Sequence, residues 1–173
     1  DQPVGVFTVH MHGMGDAARL LARAAHMLQA DGLRLGARAG RTVPGAHAVF
    51  RDVLGGVSLD VGDDELVTLF SEAAIFVMPS IAELQSIATM EAMASALPVV
   101  AANAMALPHL VHDGENGFLY EPRDIDGLVT AMRAVLNASD KDYRAFQQES
   151  LTIVADHDIS TTLDRFEDIY RGQ

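Results

Sequence analysis

Compact apolar runs alternate with longer amphipathic ones along this chain. Val4–Val9 is a short β-branched and aromatic run that reads as a buried strand. A glycine-containing loop, His10–Gly15, leads to Asp16, which suits a helix cap. The helix that follows carries Leu20, Leu21, Ala24, Met27 and Leu28 on one face, and Gly32 ends it. Leu33–Ala39 and Ala46–Phe50 are weaker strand candidates. Gly62 punctuates, and Asp63-Asp64-Glu65 opens a helix with Leu66, Leu69 and Phe70 inward. Acids are expected at a helix start, where they oppose the dipole. Ile75–Met78 is a strand stopped by Pro79, Ser86–Ala96 a helix, and Pro98–Ala102 the next strand. The turn cluster Asp113–Gly117 precedes a short strand at Phe118–Tyr120. Asp124–Leu136, Asp140–Val154 and Ser160–Tyr170 read as helices.

Strands that are apolar throughout, rather than alternating, are buried on both faces. Strand–helix alternation around them predicts an α/β chain with a Rossmann-like, doubly wound, mainly parallel sheet and helices on both faces. Ligands in such sheets bind beyond the carboxyl ends of the strands. The length of 173 residues and an apolar content of 49% suit one domain with a sizeable core.

Charge narrows the function. Twenty-four acids against twelve bases leave a net of −12, which excludes a general nucleic-acid binder. The imbalance is local. Residues 1–51 hold six arginines and three acids, whereas residues 52–111 hold eight acids and no lysine or arginine. A bound phosphate would therefore meet cations from the first third or from another domain, or else sit on free amides at a helix N-terminus. The absence of cysteine excludes disulfides and thiolate chemistry. No apolar run approaches the roughly 18 residues of a membrane span. Asp1-Gln2-Pro3 begins no basic-then-apolar leader, so a signal peptide is not expected.

The candidate chemistry lies between Ile75 and Pro122. A strand ending at Pro79-Ser80 leads into a loop with Glu83, and the helix beyond it carries Glu91, eight residues on. Both carboxylates are placed to face a crevice at the strand's end. The amides near Gln85, Ser86 and Ile87 are free at the helix start. Carboxylates for paired hydroxyls beside amides for phosphate oxygens are what a sugar carrying a nucleoside diphosphate requires.

Pro79-Ser80, Glu83, then seven residues to Glu91-Ala92-Met93-Ala94 and Leu97-Pro98-Val99-Val100-Ala101 resemble the E-x7-E segment of retaining GT-B glycosyltransferases, the group 1 clan of glycogen synthases and mannosyltransferases. Leu107–Val111, Asp113–Leu119, Glu121-Pro122 and the final Phe166–Tyr170 fit the same pattern. The resemblance covers about residues 62–172. It implies two Rossmann-like domains with the active site between them, this chain being the C-terminal, donor-binding one and the N-terminal acceptor-binding domain lying outside it. It implies that Glu83 is catalytic, contacting donor-sugar hydroxyls and stabilising charge at the anomeric carbon. Glu91 would hold the ribose hydroxyls, and Leu84, Gln85, Ser86 and Ile87 the diphosphate and sugar through their backbone. The donor would be a UDP- or GDP-linked hexose and the acceptor hydroxyl that of a lipid, glycan or small molecule. No metal and no further cofactor are implied, and the expected location is cytoplasmic, including the cytoplasmic face of the membrane.

Within that frame residues 1–173 form a single donor domain: 1–61 diverged, 62–157 motif-bearing, and 158–173 a C-terminal helix. The departures concern the diphosphate. The family usually places an arginine and a lysine near the first strand and helix. Here the loop is His10-Met11-His12-Gly13-Met14-Gly15, the sole lysine is Lys141, and Arg34, Arg38, Arg41 and Arg51 match no motif. Ala96 and Ala104-Met105-Ala106 stand where the family has glycines, and a residue with a Cβ resists a left-handed backbone. The alternative function is a non-catalytic module that binds a nucleotide or nucleotide sugar. His10 and His12 lack a third metal ligand at a convincing spacing. His109 and His112 read as surface or capping residues, and Met90 and Met93 as core. Base recognition is expected near Gly55–Ser58, through the backbone.

Overall fold

The computed structural model describes residues 6–7, 15–30 and 63–172. The expectations for His10–Met14, Gly32, Leu33–Ala39, Ala46–Phe50, Arg34, Arg38, Arg41, Arg51, Gly55–Ser58 and Gly62 lie outside those residues, as do the ends of the Val4–Val9 strand.

Four parallel strands form one sheet in the order β1 (Val6–Phe7), β2 (Ile75–Met78), β3 (Val99–Ala102), β4 (Gly117–Tyr120). Phe76 is in register with Val99, and Val99 with Gly117. Every residue of β2 and β3 is buried. Successive side chains of a strand point to opposite faces, so the sheet is covered on both. Helices α1 (Gly15–Ala30), α2 (Asp63–Glu72), α3 (Ile87–Ala94), α4 (Leu107–Leu110), α5 (Ile125–Leu136), α6 (Asp140–Ala155) and α7 (Ile159–Arg171) complete the described chain. Two helix pairs pack together, α1 with α5 and α3 with α6. The fold is the Rossmann-like α/β arrangement that the alternation predicts.

Leu21, Ala24 and Leu28 of α1 are buried, whereas Met27 is exposed at the edge of that face. Asp16 is the second residue of α1 rather than its cap, because the helix begins one residue earlier. Asp124 caps α5 as its sequence suggests, accepting from Gly127 N–H at 3.0 Å. Phe70 of α2 meets Phe76 of β2 edge-on. Met93 is fully buried and Met90 partly so, as core residues.

Two side chains pin α6 to the sheet. Tyr143 Oη donates to the Ala74 carbonyl at 2.8 Å, and Ser150 Oγ to that of Leu97 at 2.8 Å. Burial pushes the Tyr143 phenol pKa upward, which keeps it a donor. In contrast, α7 buries no residue, and Ile159, Leu163, Phe166, Ile169 and Tyr170 are all exposed along it.

Helix α3 closes in a left-handed turn made by Ala96, at φ 58°. Ala96 N–H bonds to Met93 O at 2.9 Å and Leu97 N–H to Ala92 O at 3.1 Å, the paired bonds of a Schellman ending. The chain adopts the glycine conformation here despite alanine's Cβ, because those two bonds and the burial of Leu97 outweigh the strain. Ala96→Gly should therefore raise unfolding stability by about 0.5–1 kcal/mol, the left-handed penalty less glycine's entropy cost. Urea denaturation would show it, and an unchanged or lower midpoint would refute it.

Candidate functional site

Three adjacent strands deliver their carboxyl ends to one place, and short bonds tie the loops beyond them together. Past β2, Pro79 and Ser80 are buried, and Ser80 Oγ accepts from Ala82 N–H. The chain then passes Glu83 and enters α3. Past β3, the Asn103–Ala106 loop returns, and Ala106 N–H donates to the Glu83 carbonyl at 3.1 Å. The same loop is bound to β4: Asn103 N–H donates to Tyr120 O at 2.8 Å, and Asn103 Nδ2 to Glu121 Oε1 at 3.0 Å. At the strand ends where a crevice is expected, these bonds tie three loops together and set their spacing.

Glu83 is 9% exposed, a burial uncommon for a carboxylate. Among the described residues its side chain has no hydrogen-bond or ion-pair partner. It is not the exposed acid that a helix entry would ordinarily carry. Glu91 sits in the second turn of α3 and is exposed. Leu84, Gln85 and Ile87 are exposed, with Leu84 at 81%.

Ser86 is the N-cap of α3, at φ 53° and ψ 59°. An N-cap normally holds an extended backbone and turns its oxygen onto the helix amides. Ser86 does neither. Its buried Oγ lies 2.7 Å from Thr89 Oγ1 instead, while its carbonyl takes Thr89 N–H at 3.0 Å and Met90 N–H at 3.2 Å. The first amides of α3, those of Ile87 and Ala88, are left without a helix carbonyl or a capping side chain. An oxyanion laid at this helix start would meet them and the positive end of the dipole. No lysine or arginine lies between Arg51 and Arg123 to supplement that field.

Met105 also holds a left-handed backbone, at φ 52°, in the loop whose next amide reaches Glu83. The residue lies in the Ala104-Met105-Ala106 segment that stands where the family has glycines, and it takes the left-handed backbone despite its Cβ. Sequence reasoning missed helix α4 over Leu107–Leu110. Pro108 in the first turn of α4 was the available signal. His109, in the last turn of α4, is exposed where a cation suits the dipole, and His112 is exposed with Nδ1 3.4 Å from Glu115 Oε2. The acids 63–65 are the first three residues of α2; their side chains, like that of Leu69, lie outside what is described.

A parallel sheet flanked by helices, with Glu83 and the start of α3 beyond the carboxyl end of β2, defines the class: a Rossmann-like α/β half. The chain belongs to the family Glycosyl transferases group 1, which it matches over residues 4–138. That match begins ahead of the segment in which the motifs are legible. The sulfoquinovosyl transferase of Arabidopsis thaliana is 38% identical over 96 residues, covering 54% of this chain and 18% of that protein. The solved C-terminal domain of a glycosyl transferase group 1 family protein from Francisella tularensis superposes with a TM-score of 0.62 at 19% identity, covering 88% of this chain and 84% of that one. HepE from Anabaena, solved in complex with UDP, gives a TM-score of 0.67 at 19% identity over 98% of this chain and 48% of its own. The chain thus spans less than half the length of the full-length relatives named here. Among the described residues no helix is long and apolar enough to cross a membrane.

Proposed function

We propose that this chain is the donor-binding half of a retaining GT-B glycosyltransferase that moves a hexose from a nucleoside diphosphate sugar to a hydroxyl acceptor. The observation that carries the reading is Glu83: a largely buried residue whose carboxylate has no protein partner among the described residues, beside the uncapped amides of α3. Among the described residues no buried side-chain oxygen lacks a partner, so the unpaired Glu83 carboxylate keeps its access to the surface, where a ligand can reach it. Sugar hydroxyls would supply that partner, and the α3 amides would take the diphosphate oxygens. Glu91, exposed eight residues on, would hold the ribose hydroxyls, with Leu84, Gln85, Ser86 and Ile87 contributing backbone.

In this reading the carboxylate of Glu83 steadies positive charge as it grows at the anomeric carbon, and the helix dipole steadies the departing diphosphate. No metal is required, because the leaving group's charge is met by amides and by cations from the first third or the second domain. The acceptor, a lipid, glycan or small-molecule hydroxyl, would arrive on an N-terminal domain across the cleft, at the cytoplasmic face of the membrane if it is a lipid. Residues 1–61, 62–157 and 158–173 would then be the diverged entry, the motif-bearing body and the closing helix of one donor domain. UDP is the first nucleotide to try, since a protein of the same fold binds it.

Calorimetric titration of the chain with UDP, GDP, ADP and their glucose or mannose conjugates tests the proposal. One nucleotide should bind, and Glu91→Ala should weaken it by about 1–3 kcal/mol, the cost of a lost charge-assisted hydrogen bond. Equal affinity in Glu91→Ala would remove Glu91 from the site. Binding of a nucleotide alone, with no added affinity for any sugar conjugate, would favour the non-catalytic nucleotide-binding module, a reading that the lack of lysine and arginine between residues 52 and 122 also favours.

A further inference from the structure

We propose that His112, Glu115 and Glu149 form a first-row divalent metal site, of the zinc type, that clamps the loop before β4 onto helix α6. The site stands apart from the donor crevice and from the reaction. One ligand atom from each of the three residues lies within 4.8 Å of the other two. Zinc holds imidazole nitrogen and carboxylate oxygen about 2.1 Å away, so ligand atoms around it sit at most about 4.2 Å apart. Side-chain rotation of less than about 1 Å would close the set, and the exposure of His112 and Glu115 leaves them free to make it.

Three further observations converge. First, the ligands come from two elements far apart in sequence, so an ion here would join structures that the chain does not. Second, the backbone under His112 and Glu115 is already held. His112 N–H donates to buried Asn116 Oδ1 at 2.8 Å, and the His112 carbonyl accepts from Glu115 N–H at 3.0 Å. The backbone that carries two of the three ligands is therefore fixed, and only their side chains remain to be ordered. Third, the two carboxylates have no lysine or arginine partner among the described residues; the contact recorded is His112 Nδ1 to Glu115 Oε2 at 3.4 Å. Two acids brought together beside one imidazole are short of positive charge, which a divalent ion would supply. The mixed nitrogen and oxygen set favours zinc, nickel or cobalt over magnesium or calcium, which take oxygen ligands. Water would fill the remaining positions.

The test uses the full 173-residue chain, titrated with Zn²⁺ and, in parallel, Mg²⁺, at neutral pH. One equivalent of Zn²⁺ should bind with micromolar affinity, raise the melting temperature, and slow amide exchange over residues 111–117. Mg²⁺ should do none of these. His112→Ala and Glu149→Gln should each weaken Zn²⁺ binding by about tenfold or more and abolish the exchange protection. Glu149→Gln keeps the shape of the side chain, so its result stands if His112→Ala folds poorly. The double variant His10→Ala/His12→Ala should leave binding unchanged. Zinc affinity that survives both His112→Ala and Glu149→Gln, that is lost with His10 and His12 instead, or that is absent altogether would overturn the proposal.

Discussion

Gly117→Ala should destabilise the protein by about 3 kcal/mol or more, enough to unfold it or render it insoluble. Gly117 opens β4 directly opposite Val99 in β3, at φ 154°, a backbone conformation that residues with a Cβ rarely adopt. A Cβ placed there would lie 1.8 Å from the Val99 carbonyl oxygen, 2.7 Å from its carbon and 2.8 Å from the Val99 nitrogen. All three atoms are backbone, so no side-chain rotation relieves the overlap. β3 is buried between β2 and β4 and cannot step back, and moving β4 breaks its ladder with β3 and the Val99 N–H to Asn116 O bond of 3.1 Å. Gly114 supplies the control. It also has a positive φ, 80°, but a Cβ there meets nothing within 4 Å. Gly114→Ala should cost only the left-handed strain, about 1 kcal/mol. Equal losses for the two variants in urea denaturation would show that strain rather than collision governs Gly117.

Asn116→Ala should cost about 2–4 kcal/mol, by leaving polar groups unpaired in the interior. The Asn116 side chain is fully buried and uses both ends. Oδ1 accepts from His112 N–H at 2.8 Å, and Nδ2 donates to the Leu110 carbonyl at 3.0 Å. One amide thereby joins the end of α4 to the start of β4. Asn116→Asp retains the acceptor but turns an oxygen toward the Leu110 carbonyl, and should be no more stable than alanine at neutral pH. A thermal melt separates the cases. An aspartate variant close to wild type would mean that the His112 contact alone holds the loop.

Much of the fold is legible before any coordinates. β2 falls on Ile75–Met78, as four consecutive apolar residues before a proline predict. The periodicity of Asp124–Leu136 and the capping aspartate likewise place α5. Both signals are local: apolar spacing fixes which face is buried, and a carboxylate followed by a helix fixes where it starts. Helix α4 escapes such reading because a single turn shows no period. The left-handed backbones of Ser86 and Arg123 escape it because neither residue advertises that conformation, whereas those of Ala96 and Met105 fall where the resemblance has glycines.

The candidate site divides along the same line. The two glutamates and the helix start between them are visible as spacing, while the family is legible only in the resemblance of the whole segment around them. Spacing does not show that Glu83 is nearly buried while Glu91 is exposed, since that depends on the Ala106 amide reaching across from the loop after β3. Nor does it show His112 and Glu115 meeting Glu149. The sequence by itself determined most of the described elements, the parallel sheet and the identity of the acids, because these follow from periodicity and residue chemistry along a single stretch of chain. Only the tertiary structure decided which acidic residues are largely buried and which come together, because burial and contact are set by neighbours distant in sequence.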